Sequence, residues 1–444
     1  MSEITSSRRG WALRIASASI PQGNERFVAG AVRLLNIGLR FGTLLTRFLF
    51  VFFLARYVDP KSVGYYGLFT ATVIYGLYLV GLDFYIFASR EILQVSDDQR
   101  GAMLKGQLAL CGLLYVFVLP PVVLILKGEG WSASLLWWFV PILALEHFNQ
   151  EVSRLLIVLS DQVAASVTLF VRQGSWAIAA VVLMTGFPES RNLDVIMALW
   201  ACAGLAAAAL GVWRVKQLPI SGWSKPVDWR WVRKGISVSA AFLVSTLALR
   251  GIQTADRYWM EDLGGIEAVG AYVLFLGVAG TLMVFLDAGV FSFSYPALIR
   301  HSHKREYELA RTTVRQMFFQ TLAVSVAFGC VSWVALPYLL GWVGKTVYLD
   351  ALDLYPWVAV AAIVNAVGMV PHYALYARGC DRPIIYSHIA ALPVFIGSTW
   401  WLGKTHAELA VPIGMTISFT LILIWKAIAY SQLDKKQIEL KSTV

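Results

Sequence analysis

Twelve apolar stretches of about twenty residues each run along this chain, separated by short polar loops. A stretch of this length, as a helix, crosses the roughly 30 Å hydrocarbon core of a bilayer. The sequence therefore predicts an all-α polytopic membrane protein with about twelve transmembrane helices. The predicted spans lie near 34–56, 65–89, 107–126, 135–159, 163–186, 193–213, 236–258, 268–298, 317–342, 355–377, 383–402 and 408–430.

The composition excludes a soluble globular protein, the main alternative. Hydrophobic residues make up 58% of the 444 residues, and only 14% are charged, against about 25% in soluble domains. A net charge of +10 would suggest nucleic-acid binding in a soluble protein, but here the basic residues flank membrane spans. The four cysteines are widely spread without a CxxC pair. We therefore expect no nucleic-acid partner, no metal site and no cofactor.

Basic residues are concentrated in alternate loops and so predict the orientation. They cluster in the tail 1–33, in the 214–235 linker, in the 299–316 loop and in the tail 431–444. All these segments fall on one side if twelve spans are present, so both termini are predicted to be cytoplasmic. The segment "DWRWVRKG" within the linker is predicted to lie as an interfacial helix before span seven.

One pattern occurs twice, about two hundred residues apart. The segments "ARYVDPKSVGYYGLF" and "DRYWMEDLGGIEAVGAYVLF" share Arg-Tyr, then Val-Gly, and each following span ends near Leu-Asp. The chain is therefore predicted to form two parallel six-helix lobes, an N-lobe 34–213 and a C-lobe 236–430. Ordinary helix–helix connections, which also favour glycine and acidic residues, are the alternative reading. The paired positions are Arg56 and Arg257, Gly64 and Gly270, and Asp83 and Asp287.

Polar side chains inside the spans are the candidate functional groups, since a charge at a helix centre costs about 2.5–3.5 kcal/mol to insert. Arg40 and Arg47 share one stripe of span one. Span seven carries a similar stripe. Arginine keeps its charge and binds phosphate in paired hydrogen bonds, so a cavity lined this way suits an anion. Snorkelling, or pairing with acidic residues, is the alternative. The candidate substrate-binding residues are Arg40, Arg47, Arg172, Arg250 and Gln253.

Transport would need an energy source, and the sequence has no GxxxxGK[ST] motif for ATP. An ion gradient then requires a group that changes charge or binds a cation. The candidate coupling residues are Glu146, Asp83, Asp256 and Asp287. Glu146 is preferred because it lies in a span on a polar stripe. The other three have arginines close by in sequence and could serve as salt-bridge partners.

Three segments carry a resemblance to a known family: "LARYVDPKSVGYYGLF", "GISVSAAFLVSTLALRGIQTADRYWM" and "AVGAYVLF". They resemble the polysaccharide-exporting branch of the MOP superfamily, the Wzx-type O-antigen and exopolysaccharide flippases. The resemblance implies two lobes that alternate access and move an undecaprenyl-diphosphate-linked oligosaccharide between leaflets of the bacterial inner membrane. It implies that Arg40, Arg47 and Arg250 line the cavity. Besides the lipid-linked oligosaccharide and membrane lipids, a polysaccharide polymerase and a chain-length regulator are candidate partners.

Two rival functions stay open. A MATE-like cation-coupled exporter of small molecules shares the architecture, but it would usually place acidic residues deep in its cavity. A polytopic glycosyltransferase or acyltransferase could use Glu146, His147 and Glu151 as acid–base groups. The sequence has neither a DxD nor an HxxxxD motif, so we expect a non-enzyme without catalytic residues.

Overall fold

The computed structural model describes the backbone of residues 25–442 and the side chains of residues 30–434 except Arg33. Most of the predicted tail 1–33 and the end of the tail 431–444 lie outside the described residues. The α-helices, numbered along the chain, are α1 Glu25–Tyr57, α2 Pro60–Gly81, α3 Tyr85–Ile92, α4 Asp97–Gly128, α5 Ala133–Val158, α6 Gln162–Leu169, α7 Trp176–Gly186, α8 Leu193–Val215, α9 Trp229–Leu286, α10 Ser292–His303, α11 Tyr307–Val343, α12 Thr346–Asp350, α13 Tyr355–Ala377, α14 Asp381–Gly403 and α15 Ala407–Ser442.

Ten helical stretches of the described chain are long and apolar enough to cross a bilayer. One of them, residues 229–303, holds two predicted spans on either side of Gly265, whose backbone is not helical. The predicted span 135–159 coincides with α5, which carries two glutamates and an arginine and is not among the ten. The all-α polytopic fold class is thus confirmed, with about 10–12 membrane-capable helices.

The surfaces of α4 and α11 fit a lipid environment. Both helices leave large apolar side chains exposed, a distribution that would be costly in water and is favourable in hydrocarbon. Exposed examples are Val116, Phe117 and Leu124 on α4, and Val331 and Val334 on α11.

The described helices divide into two compact units. Unit 1 consists of the described part of Met1–Phe50 together with Gly76–Ala240, and unit 2 consists of Val51–Tyr75 together with Ala241–Val444. Residues 51–75 therefore belong to unit 2, although they precede most of unit 1 in sequence. The predicted lobe limits 34–213 and 236–430 stay a prediction.

The repeated Val-Gly pairs explain why residues 51–75 belong to unit 2. Val63 and Val269 are fully buried, and their glycines lie where α2 meets the second segment of α9. A Cβ atom at Gly270 would lie 2.5 Å from the carbonyl oxygen of Pro60, and one at Gly64 would collide with the carbonyl oxygen of Ile266. Each copy of the motif thus provides the glycine that lets the other copy's backbone approach.

The repeated Leu-Asp pairs mark a break in helical geometry in each unit. Leu82 and Asp83 have left-handed φ values of 50° and 51°, so α2 ends at Gly81 and the predicted span 65–89 is interrupted. Asp287 begins a short π-helical segment, Asp287–Phe291, between α9 and α10. Such irregular turns redirect side chains that a continuous α-helix would hold in register.

The linker segment "DWRWVRKG" begins a long helix, and its position at the membrane interface stays a prediction. Residues 229–235 form the first turns of α9 and continue into span seven without a separate interfacial helix. The Trp231 ring packs on Phe84 and Phe87 with centroids 5.3 Å away in both cases. This aromatic cluster joins the start of α9 to α3 within unit 1, where Gly235 leaves room for both phenylalanines.

Candidate functional site

Two predicted substrate-binding arginines lie on α1 in unit 1 and bond to neutral side chains. Arg40 is exposed, and its Nε donates to Ser166 Oγ at 3.1 Å. Arg47 is half-buried, and its guanidinium donates to Gln173 Oε1 at 3.3 Å. Neither arginine makes an ion pair with any described residue. Their positive charges are therefore available to a ligand.

Arg172 has a different environment, although it was grouped with Arg40 and Arg47 in the sequence. It lies in a π-helical segment, Phe170–Ser175, that follows α6, and its side chain is buried. Arg172 Nε is 3.6 Å from Glu146 Oε2, and Trp200 Nε1 donates to Glu146 Oε1 at 2.8 Å. The preferred coupling residue is thus half of a buried ion pair, and its partner is a predicted substrate-binding residue.

A second polar group of unit 1 lines a cavity of about 680 Å³ between α3, α4, α5 and α8. Glu151 accepts a hydrogen bond from Gln107 at 2.6 Å and pairs with Arg154. His147 Nδ1 lies 3.2 Å from the Tyr115 hydroxyl. Most of the lining is apolar. The sequence offered His147 and Glu151 as acid–base groups, and the structure gives each of them a polar partner within the protein.

The predicted residues of span seven do meet, in a cavity of unit 2 of about 310 Å³. Arg250 donates to Gln253 Oε1 at 2.8 Å, and Arg257 donates to the Gln253 carbonyl oxygen at 2.7 Å. Asp256 is buried, accepts a hydrogen bond from the Tyr272 hydroxyl at 3.0 Å and lies 3.7 Å from Arg257. The i, i+3 and i+4 spacing of the stripe explains why one face of α9 supplies two guanidinium groups and one amide.

The remaining coupling candidates lie at the two helix breaks. Asp83 is buried in unit 1 between α2 and α3, whereas Asp287 in unit 2 is exposed. The structure therefore places the four predicted acids in four different environments. Of these four, Glu146 and Asp256 lie inside α-helices, and each is paired with an arginine.

Comparison with known proteins gives structural relatives only. No family model matches the chain, and no curated protein matches it by sequence. Solved structures do match: an inward-facing multidrug resistance MATE family transporter of the MOP superfamily has a TM-score of 0.73 at 14% identity, covering 88% of this chain and 95% of that one. The chain has the MOP transporter fold.

Two further matches support the same fold. An outward-facing MATE family transporter of the MOP superfamily gives a TM-score of 0.61 at 14% identity, covering 91% of this chain and 96% of that one. A MOP superfamily transporter from Pyrococcus furiosus, described as having a binding pocket of reverse polarity that suggests a different function, gives 0.58 at 12% identity, covering 92% and 94%. The predicted superfamily fold is confirmed, and the Wzx-type branch stays a prediction.

Sequence reasoning missed one polar cluster in the MOP fold of unit 2. Lys426 on α15 is 3% exposed, and its Nζ lies 3.2 Å from His372 Nδ1 and 3.0 Å from His388 Nε2. His388 Nδ1 in turn lies 3.0 Å from Ser245 Oγ. A signal was present, because Lys426 is the one charged residue in the apolar run "TISFTLILIWKAIAY". The described residues contain no group of three or more His, Cys, Asp or Glu side chains that could hold a metal ion.

Proposed function

We propose that the protein is a membrane transporter that moves an undecaprenyl-diphosphate-linked oligosaccharide, an O-antigen or exopolysaccharide repeat unit, from the cytoplasmic to the periplasmic leaflet. It would act by alternating access in the bacterial inner membrane, coupled to an ion gradient, with both termini cytoplasmic. A polysaccharide polymerase and a chain-length regulator are proposed partners. The MOP transporter fold supports the general class, and the charges of the interior support the anionic substrate.

The observation that carries this proposal is the pairing of charges inside the helices. Arg40 and Arg47 bond to the neutral side chains Ser166 and Gln173. Two buried acids inside the α-helices are already engaged by arginines: Glu146 by Arg172, and Asp256 by Arg257. Positive charge without an acidic partner on a membrane span favours an anion, and guanidinium forks match diphosphate oxygens.

A cation-coupled exporter of small molecules, similar to the MATE transporters, is the second candidate. The multidrug resistance transporters among the solved relatives favour it. An organic cation, however, would need an available carboxylate, and binding to Glu146 or Asp256 would displace an arginine. The same solved relatives are transporters, which supports a non-enzyme over a glycosyltransferase or acyltransferase.

A deletion strain separates the two transport functions. Loss of a flippase should cause lipid-linked glycan to accumulate in the cytoplasmic leaflet with unchanged drug susceptibility. Loss of a small-molecule exporter should raise drug susceptibility without accumulation of glycan. Drug sensitivity alone would contradict the flippase proposal.

Substitutions of the two α1 arginines test whether their positive charges bind the anionic substrate. Replacing either Arg40 or Arg47 with alanine should reduce transport of the lipid-linked glycan roughly ten- to hundredfold, because a hydrogen bond to a charged group contributes about 1.5–3 kcal/mol. Lysine should restore transport in part, since it keeps the charge but loses the fork. Arg315→Ala, at an exposed position of α11, is the matched control. Wild-type transport by the double variant Arg40→Ala/Arg47→Ala would contradict an anionic site at α1.

A further inference from the structure

Lys426 is a buried cation held by two imidazoles rather than by a carboxylate. It lies in the middle of α15, while His372 belongs to α13 and His388 to α14. Among the described residues Lys426 makes no ion pair, and its polar contacts are with the two ring nitrogens, at 3.2 and 3.0 Å. Since a buried charge is normally paired with an opposite one, this arrangement needs a functional explanation.

The hydrogen-bond directions follow from the ammonium group. A charged lysine can only donate, so His372 Nδ1 and His388 Nε2 must both accept. Both imidazoles are then neutral, and the proton of His388 lies on Nδ1, from which it is donated to Ser245 Oγ. Lys426, His388 and Ser245 thus form a continuous hydrogen-bonded chain from α15 through α14 to α9.

The hydrogen-bonded group of Lys426, His372 and His388 can hold one excess proton. If Lys426 gives up its proton, either imidazole can carry it instead, with the lysine amine as acceptor. Two positive charges at about 3 Å in a buried site would repel each other strongly. The three nitrogens therefore titrate as one coupled group rather than as three independent ones.

The hydrogen-bonded side chains also lie near the cavity that Arg250 lines. The hydrogen-bonded chain ends at Ser245 on α9, and Arg250, five residues further along the same helix, lines the 310 Å³ cavity. An anion bound there would offset the charge of Arg250. The Lys426 chain would then hold its proton more tightly, and by linkage a protonated chain would bind the anion more tightly.

We propose that Lys426, His372 and His388 form a proton-binding site that is linked to diphosphate binding beside Arg250, so that the bound proton offsets part of the charge of the bound anion. The proposal rests on the proposed anionic substrate and names the group that senses it. The titratable and charged groups facing the site are His372 with Tyr373 and Tyr376 on α13, His388 on α14 and Arg250 on α9.

The first experiment measures binding of inorganic pyrophosphate by the full-length protein in nanodiscs between about pH 6 and pH 8, where imidazoles change charge. Burial disfavours the charged lysine, so in the upper part of this range some wild-type molecules should lack the proton and should take one up on binding, detected as a buffer-dependent heat. The variant Lys426→Gln/His388→Gln should keep only the pH dependence and proton exchange that come from pyrophosphate itself, which titrates in this range. The control Lys404→Gln/His406→Gln removes the same two residue types from an exposed loop and should behave as wild type. A pH dependence of the same size in all three proteins would overturn the proposal.

The second experiment needs no variant. In wild-type protein labelled with ¹⁵N-histidine, two imidazoles at neutral pH should be fixed as opposite tautomers, Nε2–H for His372 and Nδ1–H for His388, and should titrate together. Two histidines that titrate independently would overturn the proton site. If pyrophosphate fails to bind to the wild type while the coupled titration is present, the proton site stands and the diphosphate substrate of the proposed function is wrong.

Discussion

Breaking the ion pair between Glu146 and Arg172 should cost more stability than any surface pair in the chain. Glu146→Gln keeps the shape of the side chain and an acceptor for Trp200 Nε1. It removes the only negative charge that the described structure places within 4 Å of the Arg172 guanidinium. An unpaired buried guanidinium costs about 3–5 kcal/mol. Because the Nε–Oε2 distance is 3.6 Å, longer than an ideal charge-assisted bond, we expect about 3 kcal/mol.

The double variant Glu146→Gln/Arg172→Met separates the pair from its members. It removes both charges, so its free energy of unfolding should return to within about 1 kcal/mol of wild type. The matched control is Glu308→Gln, which breaks the exposed i, i+3 pair with Arg311 and should cost less than about 1 kcal/mol. Reversible unfolding in mixed micelles, followed by tryptophan fluorescence, gives the four free energies of the double-mutant cycle.

Two results would contradict a stabilising role for the charges of Glu146 and Arg172. If Glu146→Gln were no more destabilising than Glu308→Gln, the ion pair would not be the state in which the protein rests. If the double variant were less stable than either single variant, the two side chains would stabilise unit 1 through packing rather than through their charges.

Three further predictions follow from particular contacts. Gly270→Ala should destabilise unit 2 by about 1–3 kcal/mol, measured by thermal unfolding, because the new Cβ atom clashes with the Pro60 carbonyl oxygen. Gly341→Ala is the control, since a Cβ atom there would have nothing within 4 Å. An unchanged unfolding midpoint for Gly270→Ala would contradict the close approach. Cysteines at Lys61, Glu189, Glu261 and Lys404 should react with an impermeant thiol reagent added to spheroplasts, whereas cysteines at Lys225 and Lys304 should not, and the reverse pattern would invert the predicted topology. Trp231→Ala should cost about 3–5 kcal/mol because it empties the cluster with Phe84 and Phe87, whereas the same change at exposed Trp229 should cost far less.

Hydropathy predicted the fold class because the ability of a helix to cross the membrane depends largely on the composition of that helix. The predicted spans 107–126 and 193–213 lie inside α4 and α8, whose interiors are nearly uniformly apolar. The connection between the predicted spans 236–258 and 268–298 was less accurate. The chain there is helical on both sides of Gly265, because backbone hydrogen bonds continue wherever the residues tolerate a helix, whatever their charge.

The candidate site was only partly accessible from the sequence. The span-seven stripe was found because i, i+3 and i+4 spacing on one helix needs no knowledge of neighbouring helices. The partner of Arg172 could not be found that way, since it depends on how a π-helical segment and α5 pack. The Lys426 cluster was missed for the same reason: its three members come from three helices, and none of them forms a polar stripe by itself.

The Glu146–Arg172 ion pair and the cluster of Lys426, His372 and His388 differ in what binding or losing a proton would require. Adding a proton to Glu146 would leave Arg172 without its counter-charge, so proton binding there must be accompanied by movement of the arginine or arrival of an anion. Moving a proton along Lys426, His372 and His388 separates no ion pair and needs only rearranged hydrogen bonds. In proteoliposomes we impose a proton gradient that runs in the same direction as the anion. We expect the transport driven by this gradient to persist in the charge-neutral variant Glu146→Gln/Arg172→Met and to be lost in Lys426→Gln/His388→Gln, with downhill transport retained in both. The opposite pattern would return the coupling role to Glu146 and leave the lysine cluster a structural one.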